Sequence, residues 1–525
     1  MVNPSCLSSV VSLVSILLAP RETYAGSPAP AQFYNEAIID HFLDDSPPND
    51  DTNKESFWSQ RYYATDEHFA GPGSPIFLLM GGEGAIPPTT GFLYPLITDH
   101  FAVTFGAGVV QPEHRFYGAS QPVPRSSDTH SGERPDPRTR LLTYEQALYD
   151  AARLVQHIRT SWGCAEDRFS PLYCPVISVG GSYPGFLAAM MRIVRPDIVD
   201  MAYSASAPMK FYAQQVSQDS YYAHIAAVSD SAKAGCSHAV RETLGEVQAT
   251  YSRSQEIPTG ALGVCENTVP DYLLQANDVD FFLEEVFMIV AFTFANHNMA
   301  YYPPSPEAAL SRSCRIFLQA DVEPMAKLSR FLIDSLSKQS DDKDCFSMQS
   351  QVPAGPNATI SGGDWSGVGS GISGDSWDFQ TCTLCVEAIG LVDTMFPYRP
   401  WSIEWLTNHC QRRFGVTPDP FAINRRWGIH NLEGNPNATH IIFTNGLNDG
   451  WSVSGIQHNI TQQSIVAMNF PNGAHHSDLS GQGPSDADTP DIVQGFASVS
   501  AQLLTWLEDL PSRKHGRART INQRR

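Results

Sequence analysis

A chain of 525 residues with 42% hydrophobic and 10% aromatic residues is too apolar to be disordered and too long for one small core. We therefore expect one large catalytic domain with a substantial insertion. The formal net charge of −21 argues against binding to nucleic acid or anionic lipid, because both would repel so acidic a protein. Past the N-terminus, no segment has the roughly 20 uninterrupted apolar residues of a membrane span.

The N-terminus and the glycosylation sequons indicate the secretory pathway. An apolar run over residues 6–18 ends at a small-residue site at 23–25, which predicts a signal peptide over residues 1–25. Asn-x-Thr sequons stand at Asn357, Asn437 and Asn459. We predict a secreted, lysosomal or vacuolar glycoprotein without membrane insertion.

The cysteines favour disulfides over a metal site. Nine remain once Cys6 is removed with the signal peptide, at wide spacings and without the two C-x-x-C pairs of a zinc site. One thiol should be left over.

The predicted elements of the N-terminal half begin with a strand. This buried strand over residues 75–80 stops at the glycine turn 81–84. Apolar residues at helical spacing predict a helix over residues 142–158, which starts at a capping box of Thr143 and Gln146.

The next unit consists of strand, tight turn, helix and strand. Residues 176–179 are rich in β-branched side chains and precede the turn Gly180-Gly181-Ser182, and a helix over 186–194 leads to a strand over 201–206. Such a unit is the repeat of a parallel sheet with right-handed crossovers. The sequence thus predicts an α/β fold with Ser182 at the carboxyl end of a strand.

The C-terminal half becomes rich in helices before the strand pattern returns. Its predicted elements are helices at 280–294 and 326–337, a Gly/Ser-rich stretch at 362–376, strands at 441–443 and 464–470, and a last helix at 492–510. The predicted domains are the signal peptide at 1–25, an α/β domain in two parts at 26–211 and 401–511, a helical cap insertion at 212–400, and a basic tail at 512–525.

Three strand-end loops supply the groups of a serine hydrolase. A serine hydroxyl is a poor nucleophile unless a histidine takes its proton, and that imidazole needs a carboxylate to orient it. The chain order Ser182, Asp449, His475 is that of α/β-hydrolases. In such folds one oxyanion-hole amide comes from the loop after an early strand, which here is Gly82 in the glycine turn. The other comes from the residue after the nucleophile, which here is Tyr183.

Each of these residues also has a plainer interpretation. A Gly-Gly-Ser turn after a strand is by itself more often an ordinary loop, and Asp449 fits a simple turn before Gly450. The segment His475-His476-x-Asp478 fits half a metal site, but no second group of ligands accompanies it, so neither a metal nor a cofactor is predicted. Pro184 departs from the G-x-S-x-G pattern, yet proline is tolerated in the first turn of a helix.

With these residues in place, the chain resembles the proline-directed serine peptidase family of lysosomal prolylcarboxypeptidase, dipeptidyl peptidase II and thymus-specific serine protease. The motifs that carry the resemblance are Asp40-His41-Phe42, Gly82-Glu83-Gly84, Glu113-His114-Arg115-Phe116-Tyr117-Gly118, Leu142-Thr143, Gly180-Gly181-Ser182-Tyr183, Gln380-Thr381-Cys382-Thr383, Asn445-Gly446, Asp449 with Trp451-Ser452, and Gly473-Ala474-His475-His476. The resemblance implies an α/β-hydrolase fold with a helical cap and the triad Ser182, Asp449 and His475.

The same resemblance implies a pocket for proline on the acyl side of the scissile bond. Trp451 matches one wall of that pocket, and Phe186 and Glu83 are the other candidate substrate-binding residues. Leu384 stands where relatives often carry an acidic residue. The disulfides that the resemblance implies are Cys236 with Cys314, Cys265 with Cys345, and Cys382 with Cys410. Cys164 and Cys174 flank a short loop and are compatible with a fourth, which leaves Cys385 single.

We therefore predict a serine peptidase that cleaves after proline or another small apolar residue, with peptides as its partners. The sequence does not show whether the enzyme acts as a carboxypeptidase, a dipeptidyl peptidase or an endopeptidase. It also does not show whether the chain forms the homodimer that is common in such relatives. A lipase or esterase of the same fold is one alternative, because fold and triad do not choose between ester and amide. A secreted binding protein on a silent hydrolase scaffold is another.

Overall fold

The computed structural model describes residues 35–42, 57–87, 91–123, 138–252, 254, 256–337, 344–351, 371–391, 395–479, 481 and 483–511. The predicted signal peptide, the Asn357 sequon and the basic tail lie outside those residues.

The described strands form one mostly parallel sheet. They are β1 (Asn35–Phe42), β2 (Phe57–Thr65), β3 (Ile76–Leu79), β4 (Gly108–Pro112), β5 (Val176–Gly181), β6 (Met201–Ala205), β7 (Ile441–Gly446) and β8 (Ile465–Phe470). Their order across the sheet is β1-β2-β4-β3-β5-β6-β7-β8. β1 with β2 and β2 with β4 are antiparallel, and every later pair is parallel.

The helices surround the sheet and fill the long connection between β6 and β7. They are α1 (Ala102–Phe105), which continues the π-helix Leu96–Phe101, α2 (Arg138–Leu141), α3 (Tyr144–Ser161), α4 (Tyr183–Val194), α5 (Met209–Tyr212), α6 (Ser220–Ala232), α7 (Cys236–Tyr251), α8 (Thr259–Leu262), α9 (Asp271–Ala276), α10 (Val279–Met299), α11 (Ala309–Phe317), α12 (Pro324–Leu336), α13 (Gly371–Thr381), α14 (Ile403–Phe414), α15 (Ala422–Trp427) and α16 (Pro490–Asp509). Short 3₁₀ segments cover Met348–Ser350, Gly450–Ser454 and Thr461–Gln463. Within the described ranges, no helix has both the length and the apolar character of a bilayer span.

Alternate residues of each central strand enter two different cores, as the twofold period of a strand requires. On one face, Ile76 and Leu78 pack with α3 and α4. On the other face, Phe77 and Leu79 pack with the π-helix and with α16. A parallel sheet covered on both faces is the predicted α/β-hydrolase fold.

Most predicted elements exist, with shifted bounds. Thr143 caps α3 and accepts a hydrogen bond from the Gln146 amide at 3.3 Å, as the capping box predicts. Helix α4 starts at Tyr183, three residues before the predicted start, because Pro184 fits its first turn. Strands β1 and β2 were not predicted, since polar residues interrupt the apolar residues of both segments.

Most buried residues of the helices from α5 to α12 form a core of their own, separate from the two cores of the sheet, whereas Met209 and Tyr212 of α5 belong to the core beneath α3 and α4. Two disulfides staple this helical segment, Cys236–Cys314 and Cys265–Cys345, across sequence separations of 78 and 80 residues. Two further disulfides, Cys164–Cys174 and Cys382–Cys410, lie outside it. These are the pairs that the sequence led us to expect, and Cys385 is a buried free thiol.

Candidate active site

Ser182 occupies a sharp turn between β5 and α4. Its φ of 63° and ψ of −132° lie in a region that non-glycine residues rarely adopt. The turn is held on both sides, because the Ser182 amide donates to the Ala205 carbonyl at 2.9 Å and the Phe186 amide donates to the Ser182 carbonyl at 3.0 Å. The strained backbone holds the Ser182 side chain at the carboxyl edge of the sheet.

The glycines around Ser182 are required by the close approach of α4 to the sheet. A β-carbon on Gly180 would lie 2.2 Å from the Pro184 carbonyl oxygen, and one on Gly185 would lie 2.7 Å from the Ala205 carbonyl oxygen. Gly185 therefore provides the close packing that the last glycine of G-x-S-x-G usually provides. The departure at Pro184 leaves the geometry of the elbow intact.

Asp449 and His475 form a buried pair at the ends of β7 and β8. The His475 Nδ1 lies 2.6 Å from the Asp449 Oδ2, and both residues are buried. The other carboxylate oxygen of Asp449 accepts from the Trp451 amide at 3.1 Å. A carboxylate at Nδ1 fixes the tautomer with the proton on that atom, so Nε2 is the nitrogen that can accept a proton.

The loop that carries His475 contacts the serine elbow. A β-carbon on Gly181 would lie 2.7 Å from the Cγ of His476, and the His476 amide donates to the Ser206 hydroxyl at 2.9 Å. Burial, reinforced by the neighbouring His475, lowers the pKa of His476 well below its usual range. Of the two adjacent histidines, the first bonds to the carboxylate and the second packs as a neutral ring against the elbow.

The other potential ligand that the sequence offers beside His475 is Asp478. Asp478 accepts a hydrogen bond from the Tyr203 hydroxyl at 2.7 Å, and burial raises the pKa of its carboxyl. Over the ranges that the structure covers, the potential metal ligands that cluster in threes are Asp378, Cys382 and His409, and Cys382 is already bonded to Cys410.

The two predicted oxyanion amides lie at the start of α4 and after β3. The first hydrogen bond of α4 begins at the Phe186 amide, so the Tyr183 N–H has no acceptor within the helix. A β-carbon on Gly82 would lie 2.6 Å from the Pro184 ring, which places Gly82 against the same turn. Both residues therefore border the Ser182 elbow.

Glu83 follows Gly82 and places a carboxyl group near His475. Its Oε2 atom is buried and has no hydrogen-bond partner. Burial raises the pKa of the Glu83 carboxyl, and its own backbone amide and the nearby His475 only partly offset this effect. A buried carboxyl oxygen without a partner, close to His475, is free to accept or donate a hydrogen bond.

The candidate pocket residues Trp451 and Phe186 lie in different places. The Trp451 ring is half-buried and packs against Phe211 and Tyr221, with ring centroids 5.7 and 4.9 Å away. Phe186 is fully buried against Tyr144 and Tyr212. Sequence reasoning missed Phe211 and Tyr221, although an aromatic cluster directly after Pro208 was a readable signal.

Two exposed residues carry the described sequons. Asn437 and Asn459 both lie at the surface, and the Asn459 side-chain oxygen accepts from the Ala467 amide at 2.8 Å. Their exposure is compatible with glycan attachment.

A strand-end serine elbow and a buried histidine–carboxylate pair invite comparison with known hydrolases. The model of the serine carboxypeptidase S28 family matches residues 39–496. The chain belongs to that family. This confirms the family expected from the motifs, and it makes the chain a serine-type exopeptidase.

Relatives in the serine carboxypeptidase S28 family cover nearly the whole chain. Human lysosomal Pro-X carboxypeptidase is 27% identical over 519 residues, which are 97% of this chain and 91% of that protein. Mouse thymus-specific serine protease is 26% identical over 475 residues, 86% of this chain and 84% of that protein. Among solved structures, proline iminopeptidase from Mycobacterium smegmatis is similar at 12% identity, with a TM-score of 0.32 over 85% of this chain and 96% of that one. The lysosomal relatives agree with the predicted route, and the chain is a lysosomal or secreted protein.

Proposed function

We propose that Ser182, His475 and Asp449 are the catalytic triad of a peptidase that cleaves peptide bonds on the carboxyl side of proline. The observation that carries this proposal is the 2.6 Å contact between His475 Nδ1 and Asp449 Oδ2. That pair belongs to a loop that packs on the Ser182 elbow. Family membership supports the reaction class.

The mechanism follows from the placement of these groups. His475 Nε2 takes the hydroxyl proton as Ser182 Oγ attacks the substrate carbonyl, and Asp449 stabilises the imidazolium that forms. The amides of Tyr183 and Gly82 stabilise the oxyanion. His475 then donates the proton to the leaving amine, and water activated by the same imidazole hydrolyses the acyl-enzyme.

Proline is the proposed residue on the acyl side. The Trp451 ring and its neighbours Phe211 and Tyr221 offer an apolar aromatic surface beside Asp449, and a proline ring is compact and packs well on an indole face. The relatives named Pro-X carboxypeptidase support the same preference. Phe186 is proposed to shape this region through Tyr212, and Glu83 to meet a polar group of the substrate.

The experiment uses the full chain, a fluorophosphonate probe and a defined peptide with one internal proline. We expect the probe to label wild type at Ser182, and Ser182→Ala to abolish both labelling and cleavage, a loss of at least about a thousandfold. The same peptide with free and with blocked termini, its fragments weighed by mass spectrometry, separates carboxypeptidase, dipeptidyl peptidase and endopeptidase modes.

Other results would reject the proposal. Absence of labelling in wild type would indicate a silent scaffold. Hydrolysis of short acyl esters without cleavage after any proline would indicate an esterase.

The domain arrangement and the oligomeric state are proposed as well. Residues 212–400 are proposed as a cap over the sheet, although α13 packs with Phe116 and Leu142 of the sheet domain. A homodimer is proposed from the family resemblance given in the sequence analysis. Light scattering during size-exclusion chromatography tests this proposal.

A further inference from the structure

The side chain of Tyr183, the residue after the nucleophile, ends in a buried hydrogen-bond network. Its hydroxyl lies 2.8 Å from the Gln380 Nε2 and 3.1 Å from the His114 Nε2. The Gln380 Oε1 in turn lies 2.5 Å from the Tyr117 hydroxyl, and the His114 Nδ1 lies 2.8 Å from the Arg115 carbonyl. All four side chains are almost completely buried.

The donors and acceptors of this network fit in one arrangement. The Arg115 carbonyl accepts only, so His114 Nδ1 carries the proton and His114 Nε2 accepts from the Tyr183 hydroxyl. The Tyr183 oxygen then accepts from the amide nitrogen of Gln380, whose oxygen accepts from Tyr117. Burial lowers the pKa of His114 to about 4, in agreement with the neutral ring that this arrangement needs.

The network joins three parts of the chain at the elbow. Tyr183 starts α4, His114 and Tyr117 lie in the turn after β4, and Gln380 lies near the end of α13. The Trp377 ring from α13 also packs on Tyr183, with centroids 4.9 Å apart. Two motifs that the triad does not use, at 113–118 and 380–383, therefore meet on the residue whose amide is the proposed oxyanion donor.

We propose that Gln380 is a positioning residue, which fixes the first turn of α4 through the Tyr183 hydroxyl and so aims the Tyr183 amide at the oxyanion. This inference rests on the proposed triad mechanism. Because the Tyr183 side chain and amide belong to one residue of a strained turn, loosening the hydroxyl lets the amide move. A displacement of about 1 Å in a catalytic group can slow the reaction by about a hundredfold.

The test compares Gln380→Met and Gln380→Glu with wild type by the second-order rate of fluorophosphonate labelling from pH 8 to pH 5. This readout depends on the nucleophile and the oxyanion hole but not on the preference for proline. Gln380→Met removes both hydrogen bonds and should label about ten- to a hundredfold more slowly than wild type at every pH. For peptide cleavage we expect the loss in kcat and little change in KM.

Gln380→Glu adds a second readout, the pH dependence of the labelling rate. A purely structural role of Gln380 would not produce such a dependence. A protonated glutamic acid donates to the Tyr183 oxygen and accepts from Tyr117, as glutamine does, whereas a carboxylate cannot donate. Its labelling rate, divided by that of wild type at the same pH, should therefore be low at pH 8 and recover toward one as pH falls.

The surrounding charges do not produce this recovery by themselves. Burial raises the pKa of Tyr183 well above its usual range, so neither it nor His114 changes charge between pH 8 and pH 5. Glu83 and Cys385 also face Tyr183, while Asp150 and Arg115 face His114. All of these groups are present in wild type as well, and the ratio removes their contribution.

Ser376→Ala is the matched control. Ser376 lies on the same helix, is equally buried, and donates to the Phe116 carbonyl at 3.1 Å without contacting Tyr183 in any described hydrogen bond. It should label within about twofold of wild type. Equal rates for Gln380→Met and Ser376→Ala, or a Gln380→Glu ratio independent of pH, would overturn the inference. An unlabelled wild type would instead reject the triad itself.

Discussion

The sheet and the helical segment from α5 to α12 are built on different principles. In the sheet, neighbouring strands share two cores, and each of β5, β7 and β8 ends in one group of the proposed triad. The helical segment has a separate core, and disulfides close long stretches of its chain. The geometry of the proposed triad thus depends on strand register, whereas two disulfides add to the stability that the helical segment gains from its own core.

The two regions meet at the end of α10. The Asn298 side-chain oxygen accepts from the Gly450 amide at 2.7 Å, and the Met299 carbonyl accepts from the His475 amide at 3.1 Å. The helical segment also supplies Phe211 and Tyr221 to the aromatic surface around Trp451. It therefore contributes contacts and aromatic surface to the candidate site, while the groups of the proposed triad come from the sheet domain.

The largest expected effect comes from the long-range disulfides. Removing Cys236–Cys314 by a double serine substitution should lower the free energy of unfolding by about 4–5 kcal/mol, because it frees a loop of 78 residues. The matched pair Cys164 and Cys174 closes only 10 residues and should cost about 3 kcal/mol. Denaturant unfolding gives both values, and hydrogen exchange by mass spectrometry locates them. An equal or larger loss for the short loop would contradict the comparison.

The second effect concerns the junction between the regions. Asn298→Ala leaves the buried Gly450 amide without its acceptor, so we expect a loss of about 1–3 kcal/mol and a reduced kcat, since Gly450 adjoins Asp449. Asn296→Ala, two residues earlier and partly exposed, is the control and should cost less than about 0.5 kcal/mol. A kcat unchanged in Asn298→Ala would mean that the helical segment does not support the triad loop.

The smallest expected effect is the loss of folding stability in acid, to which both regions contribute a buried histidine. Burial lowers the pKa of His114 in the sheet domain and of His297 in α10 to about 4 each. The unfolded chain, with an ordinary histidine pKa near 6.5, then binds more protons than the folded protein, so stability is lost as pH falls from about 6.5 toward 4. The raised pKa values of Asp478 and Glu285 act in the opposite direction.

His297→Asn measures how much the helical segment contributes to the loss of folding stability in acid. Asparagine can keep the 2.9 Å hydrogen bond that His297 Nδ1 makes with Ser313, but it does not titrate. Between pH 7 and pH 5 the variant should lose about 1–2 kcal/mol less than wild type in urea unfolding. Identical losses would show that His297 has no part in the acid sensitivity.

The residues of the proposed triad could be picked out in the sequence because each of them follows a strand that is recognisable locally. Apolar runs predicted β3, β5, β7 and β8, and polar loops directly after three of them held Ser182, Asp449 and His475. The glycines were read as packing residues, and the backbone contacts of Gly180 and Gly185 give the physical reason.

What the sequence could not predict depends on partners far apart in the chain. The Tyr183 hydroxyl meets Gln380 across 197 residues, and no periodicity encodes such a contact. The same is true of Trp451 and Tyr221. The family resemblance made Phe186 a pocket candidate, but the sequence could not predict that its ring packs in the core against Tyr144 and Tyr212.

The free thiol of Cys385 gives this protein a natural reporter of opening. Its sulfur contacts the Tyr144 hydroxyl in the core beneath α4, and burial raises its pKa well above the usual range. A buried, protonated thiol reacts with an alkylating reagent only when its surroundings come apart. The rate at which Cys385 becomes alkylated in the native protein would therefore measure how often the segment around residue 385 separates from α4, with no added label or substitution.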